Sequence, residues 1–262
     1  MSTFVKIKAL RSALSSSEEK LADFTLSSAN AIRDLSSIEL AKAVGVSQSS
    51  VVKFSQKLGY KGFPAFKLAV IDALNGESSE PKPQGKITRS DTIEQLTEKL
   101  ISNQHAVLSE TKNLNEPTAF EHAVALIKAS KRILICGEDE SALIAKGFSH
   151  KLQQLGIPAI SELDRAVQLA YAKTLGKNDL VIAINESGNN ENILNIIKCA
   201  KQSNCNVISL TQFGSNPVAN AAHVKLYTIT QEKSVRLQAI LTRTAQDFVI
   251  DILLMSLTQS AR

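Results

Sequence analysis

The sequence predicts an all-α helix-turn-helix domain followed by an α/β domain with a doubly wound, parallel, five-stranded sheet. Three observations carry this. Between Ser36 and Leu58 two short amphipathic segments meet at Gly45. From Gly76 to Ser90 the stretch GESSEPKPQGKITRS holds almost no large apolar residue, so it cannot build a core and reads as a linker. Beyond Ser130 short apolar runs alternate with helical stretches, as parallel β-α units do. The expected divisions are 1–75, a linker at 76–90, and 91–262. A chain of 262 residues with 44% hydrophobic content is long enough for two such cores.

Phe4 to Leu14 reads as a short helix, and Ser17 with Glu18, Glu19 and Lys20 opens a second one. Its stripe of Leu21, Ala22, Phe24, Thr25 and Leu26 is expected to pack behind the helix pair. In that pair, SSIELAKAVGVSQSSVVKFSQKL, the first helix carries Ile38, Leu40, Ala41 and Val44; the second carries Val51, Val52, Phe54 and Leu58. Small Ala41 permits a close crossing, Gly45 takes a left-handed turn conformation, Ser47 caps the second helix, and Val51 plugs the crossing. Turn-rich Gly59 to Pro64 follows, then a closing helix from Ala65 to Leu74.

An ordinary helical hairpin shares this apolar spacing, so charge decides between the two. Lys42, Lys53, Lys57, Lys61 and Lys67 face only Glu39 and Asp72, an excess that suits a phosphate backbone. The helix from Ser47 to Leu58 is therefore expected in a DNA major groove. Its first turn, Ser47, Gln48, Ser49 and Ser50, would meet base edges, with the Gln48 amide matched to adenine. Lys53, Lys57 and Lys61 would hold phosphates. One half-site confers little specificity, so a dimer on a palindromic operator is expected.

Asp91 with Glu94 three residues on suggests a capping box, and Pro117 suits the first turn of the next helix. The strand candidates are ILIC at Ile133, PAI at Pro158, LVIAI at Leu180, VISL at Val207 and VKLY at Val224. Helical stretches begin near Ser141, Arg165, Asn190, Pro217 and Ser234. In such sheets ligands bind outside the carboxyl ends of the strands where the winding reverses. This selects the loops Gly137 to Ser141 and Asn185 to Glu191, each running into a helix N-terminus that favours an anion. Ser141, Asn185, Ser187, Gly188, Asn190 and Glu191 are the candidate ligand residues, although Ser and Asn also serve as plain helix caps. Arg236 and Arg243 lie seven apart on one face of the last helix. Arg236 is the candidate for reaching a ligand anion at a subunit boundary, and the apolar length of Val235 to Leu257 offers a surface for dimerisation.

The net charge of +5 is modest and by itself separates no DNA binder from a basic enzyme. No apolar run has the length of a membrane span, and MSTFVKIKALRSALSSSEEK lacks the apolar core of a signal peptide, so a cytoplasmic protein with no membrane partner is expected. Cys136, Cys199 and Cys205 show no metal spacing and are expected as reduced thiols; no metal or cofactor is implied.

Together the halves resemble the RpiR family of bacterial transcription regulators, in which a helix-turn-helix domain precedes a sugar isomerase (SIS) domain that senses phosphosugars. The resemblance rests on SSIELAKAVGVSQSSVVKFSQKLGYKGFPAFK, ILICGEDESA, VIAINESGNNE and RLQAILTRTAQDFVIDILL, and the first and last look closest to MurR-type members that respond to amino-sugar phosphates. It implies homodimers or homotetramers and a sugar or sugar-phosphate effector; no catalysis is expected, since the DNA-binding module supplies a complete function without it. Two departures stand out. Family loops after the first strand resemble Gly-x-Gly-x-Ser, and here Asp139 replaces the second glycine between Glu138 and Glu140; after the third strand Asn185 and Asn190 replace the outer hydroxyl residues of Ser-x-Ser-Gly-x-Thr. A carboxylate about 6 Å from a phosphate would oppose it by about 3 kcal/mol at an effective dielectric near 20. Either these acids point outward, or the effector is less anionic than a simple phosphosugar, or the response is weak; a phosphorylated sugar stays the leading class.

The alternative is a sugar-phosphate isomerase or etherase with an appended helical domain. It needs a base near the ligand; Glu186 and Glu191 lie in the right loop, whereas His105, His122, His150 and His223 cluster with neither loop.

Overall fold

Helices near the N-terminus and a parallel sheet later in the chain follow from the pattern above, and a computed structural model describes both, over residues 3–76, 87–230 and 234–259. The chain divides into two compact units, Met1–Ser102 and Asn103–Arg262. Of the expected linker, residues 77–86 lie outside the described residues.

The first unit contains α1 (Thr3–Leu10), α2 (Ser16–Ser27), α3 (Ala29–Ile32), α4 (Ser37–Val44), α5 (Gln48–Lys57) and α6 (Phe63–Gly76). Ile7, Leu21, Ile32, Leu40, Val51, Phe54 and Phe66 are fully buried in it. The α2 start differs from expectation. Ser15, not Ser17, stands three residues before Glu18, whose carboxylate accepts the Ser15 N–H at 2.8 Å, so the capping box falls there. Ile38, expected in the apolar stripe, is 63% exposed, because this two-turn helix buries the Leu40 and Ala41 face instead.

The division between units falls within α7 (Ile93–Leu114). Its cap is one residue later than expected: Thr92 and Gln95 exchange reciprocal bonds of 3.0 and 3.2 Å, displacing Asp91 and Glu94. Asp91 instead accepts from Lys99 and from Thr88, and these bonds hold its carboxyl down to about 2.

The second unit continues with α8 (Pro117–Ala129), β1 (Ile133–Gly137), α9 (Glu140–Gln154), β2 (Ala159–Ile160), α10 (Arg165–Ala172), β3 (Leu180–Asn185), α11 (Glu191–Gln202), β4 (Asn206–Gln212), α12 (Pro217–Ala221), β5 (Val224–Thr228) and α13 (Val235–Gln259). The sheet is parallel throughout in the order β2-β1-β3-β4-β5, so the winding reverses between β1 and β3. Alternation along the strands divides the core into two layers. Ile133, Ile135, Ile182 and Ile208 pack with side chains of α8, α9 and α13 on one face. Leu134, Cys136, Val181 and Val207 pack with α10, α11 and α12 on the other. Burial pushes the Cys136 thiol up to about 12 and the Cys205 thiol to about 11. The Arg132 guanidinium donates to Asp179 at 2.6 Å, tying the residue before β1 to the one before β3; burial opposes ionisation of Asp179, yet this bond and the Gly176 N–H keep its carboxyl below the usual range.

The last helix revises one expectation. Leu237, Leu241, Ala245, Val249, Ile250, Leu253 and Leu257 are all buried, and the last four of them pack in the core cluster beside the sheet, so much of the apolar length offered for dimerisation is spent within its own domain. Val235 and Met255 remain exposed, at 83% and 59%.

Candidate functional site

The first candidate surface is built by two caps. Ser36 and Glu39 close the start of α4 with reciprocal bonds of 2.7 and 3.3 Å. Gly45, at φ 73°, ends that helix, and the Val46 N–H returns to the Ala41 carbonyl at 2.9 Å. Ser47 then accepts the Ser50 N–H at 3.2 Å and starts α5. Ala41 and Val51 are buried, in keeping with a close crossing of the two helices.

Ser47, Gln48 and Ser49 are exposed at the head of α5, and Ser50 is half-buried. The Ser47 hydroxyl lies 2.8 Å from that of Ser49 and 2.9 Å from that of Ser50, while the Gln48 amide donates to Ser37 at 3.0 Å. Lys53 and Lys61 are exposed. Lys57 is not placed as they are: its ammonium donates to the Ala13 carbonyl at 2.6 Å and to Glu18 at 2.7 Å, which ties α5 to α2. Lys67 likewise donates to the Leu35 carbonyl at 3.0 Å.

The second candidate is a cleft of about 430 Å³ at the carboxyl ends of β1 and β3, where the winding reverses. It is lined by Glu138, Asp139, Glu140 and Ser141 after β1, by Asn185, Glu186 and Ser187 after β3, and by Gln212, Gln238, Ala239 and Thr242. Of the expected ligand residues, Ser141, Asn185 and Ser187 meet here. Gly188, Asn190, Glu191 and Arg236 do not line it. Asn190 is spent as a cap, its side chain accepting the Ile193 N–H at 3.1 Å; Glu191 and Arg236 are exposed. Gly188, at φ 66°, faces the Asn216 side chain instead.

The three consecutive acids are not equivalent. Glu138 is buried and bound to Arg165 at 2.7 Å and to the Asn192 amide at 2.8 Å, so its charge is neutralised locally. Asp139 and Glu140 are exposed at the cleft mouth. Asp139 adopts φ 51° and ψ −128°, a conformation that glycine enters freely and L side chains rarely enter. The backbone geometry expected of a glycine is thus kept with an aspartate in it. Replacing Asp139 with glycine should release this strain and stabilise the second unit by about 1 kcal/mol, read as a raised urea midpoint; an unchanged or lowered midpoint would show the conformation to be unstrained.

Sequence reasoning missed the far wall of the cleft. Gln238, Thr242 and Gln246 stand four residues apart on α13, a polar stripe beside the buried apolar residues of that helix. Gln238 and Thr242 donate to Glu186 Oε1 at 2.8 and 3.0 Å, and Gln246 donates to the Ser141 hydroxyl at 3.1 Å. The i, i+4, i+8 spacing was visible in QAILTRTAQ, but nothing local said which loop it would face. Arg165 was missed because its partner lies 27 residues away.

Among the described residues no helix is long and apolar enough to cross a membrane, and no group of His, Cys, Asp or Glu is placed to hold a metal ion.

Comparison with known proteins agrees with both halves. The helix-turn-helix domain of the rpiR family matches residues 1–77, and the SIS domain matches residues 125–256. The chain is 34% identical over 261 residues to the uncharacterized HTH-type transcriptional regulator YfhH of Escherichia coli (strain K12), spanning 99% of this chain and 93% of that protein. Among solved structures it resembles the Vibrio vulnificus NanR protein complexed with ManNAc-6P, with a TM-score of 0.60 at 19% identity over 99% of this chain and 92% of that one. It also resembles the sugar isomerase domain of the RpiR transcription factor from Sphaerobacter thermophilus, with a TM-score of 0.53 at 23% identity over 63% and 91%. At these identities the structural likenesses establish the fold, and the MurR-type subgroup rests on the two sequence stretches alone. With a helix-turn-helix unit ahead of a SIS-type sheet and a relative of that identity over nearly its whole length, the chain belongs to the rpiR family of helix-turn-helix transcriptional regulators.

Proposed function

We propose that the protein binds an operator through α5 and senses a sugar derivative, a phosphosugar or an amino sugar, in the cleft between β1 and β3. The observation that carries the DNA half is the joint exposure of Ser47, Gln48 and Ser49 at the first turn of the second helix, with Lys53 and Lys61 exposed on the same helix and just beyond it. Gln48 reads a base and Lys53 and Lys61 hold phosphates; Lys57, committed to Glu18, supports α5 from behind. The effector class is supported by the ManNAc-6P of the NanR structure and by the neutral polar side chains in the cleft. The protein acts in the cytoplasm as a homo-oligomer on a palindrome with half-sites about 34 Å apart. The linker at 76–90 carries the effector's influence from the domain at 91–262 to the one at 1–75. That influence equals the effector's differential affinity for the two states.

Binding of the full chain to a promoter fragment from beside its own gene tests this. Affinity should fall steeply with salt as counterions are released. Gln48→Ala should relax discrimination by about 1 to 3 kcal/mol at one base pair, while Lys61→Ala should weaken all sequences alike and lower the salt slope by about 1. Equal losses on cognate and scrambled DNA for Gln48→Ala would remove it from base reading. No binding at low salt would defeat the regulator reading.

One observation favours the enzyme alternative: Glu186 does line the cleft. Among the described residues no histidine lines it. Conversion of a sugar phosphate by the purified protein, abolished in Glu186→Gln, would replace the regulator reading by an isomerase.

A further inference from the structure

We infer that Ser37 is a positioning residue that sets operator specificity: it holds the Gln48 amide so that one N–H and Oε1 meet the base together, a pair that selects adenine over guanine. This rests on the reading of α5 as the helix in the major groove and deepens it.

The two side chains meet because of how α4 and α5 are placed. Ala41 and Val51, the small residue and the plug of the helix pair, are both buried. Ser37 stands four residues before Ala41 and Gln48 three before Val51, so each lies one turn back along the face that carries the buried residue. Both helix starts are pinned. Ser36 and Glu39 exchange the capping bonds of α4, and Ser47 accepts the Ser50 N–H to begin α5. The outcome is a bond across the pair: Gln48 Nε2 donates to Ser37 Oγ at 3.0 Å, an ordinary length for N–H to oxygen. Ser37 is half-buried and Gln48 is exposed, so the bond stands at the edge of the surface offered to DNA.

The serines around Gln48 are turned towards one another. Ser47 Oγ accepts the Ser50 N–H and lies 2.8 Å from the Ser49 hydroxyl and 2.9 Å from that of Ser50. A hydroxyl has a single proton and two lone pairs, so these contacts exhaust Ser47. Gln48 differs: its Oε1 has no partner among the described residues.

The base preference follows from what the Ser37 bond leaves over. A primary amide carries two N–H donors and one carbonyl acceptor. Ser37 takes one donor, and one N–H remains beside Oε1. Adenine presents an acceptor at N7 and a donor at N6, which match that pair; guanine presents acceptors at both N7 and O6, one of which Oε1 would oppose. An amide released from Ser37 can turn and offer both donors, which makes guanine acceptable. A side chain already held also loses less rotamer freedom on meeting the base.

Titration of the full chain with a promoter fragment from beside its own gene, and with every single base-pair substitution of it, tests this in the wild type, Ser37→Ala, Ser37→Thr, Gln48→Ala and the double variant Ser37→Ala with Gln48→Ala. Gln48→Ala marks the base pair that residue reads. At that position Ser37→Ala should lower the preference for adenine over guanine by about two- to tenfold, the factor that immobilising one long side chain carries. Ser37→Thr keeps the hydroxyl and should restore the preference, and Ser37→Ala should change nothing further once Gln48 is alanine. Melting temperature and salt slope should stay as in the wild type, because Ser36 is the cap of α4 and Ser37 carries no charge. Guanine preferred by the wild type at that position, a preference unchanged in Ser37→Ala, or an equal loss at all positions overturns the proposal. If Gln48→Ala still relaxes one base pair in those cases, base reading by α5 stands and only the role of Ser37 falls; if the wild type binds no fragment at low salt, both fall together.

Discussion

Gly188→Ala is expected to destabilise the second unit by about 3 kcal/mol, the sum of overpacking and of an alanine forced to positive φ. Gly188 sits at φ 66°, and a methyl group added there would fall inside the side-chain amide of Asn216. That amide cannot step aside. It is buried, donates to Thr211 Oγ1 at 3.1 Å and to the Gln212 and Gly214 carbonyls at 3.3 Å, and accepts the Ala219 N–H at 2.8 Å to cap α12. The Val218 N–H is also bound to the Gly188 carbonyl at 3.0 Å, so the loop after β3 and the start of α12 are one construction. Gly45→Ala is the control. Gly45 shares the left-handed conformation, at φ 73°, with nothing near its added methyl, and should cost only about 1 kcal/mol. Urea unfolding of both variants decides the matter; equal midpoints would mean that Asn216 yields.

Phe66→Ala is expected to cost about 3 to 5 kcal/mol, enough to unfold most of the first unit under mild heating. The Phe66 ring is fully buried, with centroids 5.7 Å from Phe54, 5.9 Å from Tyr60 and 6.2 Å from Phe63. It joins α6 to the rear of α5 and to the turn after it. Tyr60 in turn donates to or accepts from Thr3 at 2.8 Å, and Lys6 lies over its ring at 4.3 Å, so α1 depends on the same cluster. Scanning calorimetry should show the transition of the first unit lowered and that of the second unchanged, with promoter affinity lost at temperatures where the wild type still binds. A shift of both transitions together would show that the two units melt as one.

Why some elements were legible and others not follows from the range of the forces involved. The α4 and α5 pair was readable because everything that makes it is local: a capping box three residues wide, a glycine that tolerates positive φ, and apolar side chains at helical spacing. The strands were readable because burial on both faces demands unbroken apolar runs, and the reversal of winding was implied by their alternation with helices. Small errors arose where two local signals competed, as when Thr92 and Gln95 outbid Asp91 and Glu94 for the start of α7.

By itself, then, the sequence determined the two-part architecture, the helix-turn-helix with Gln48 at its head, and the two loops that border the cleft, since each is set by contacts within a few residues. Only the tertiary structure decided which side chains of those loops share the cleft, that Lys57 is spent on Glu18 and Glu138 on Arg165, and that Gln238, Thr242 and Gln246 close the far wall. Those outcomes depend on partners 27 to 105 residues away along the chain, and charge pairing at such separations is settled by packing and not by local pattern.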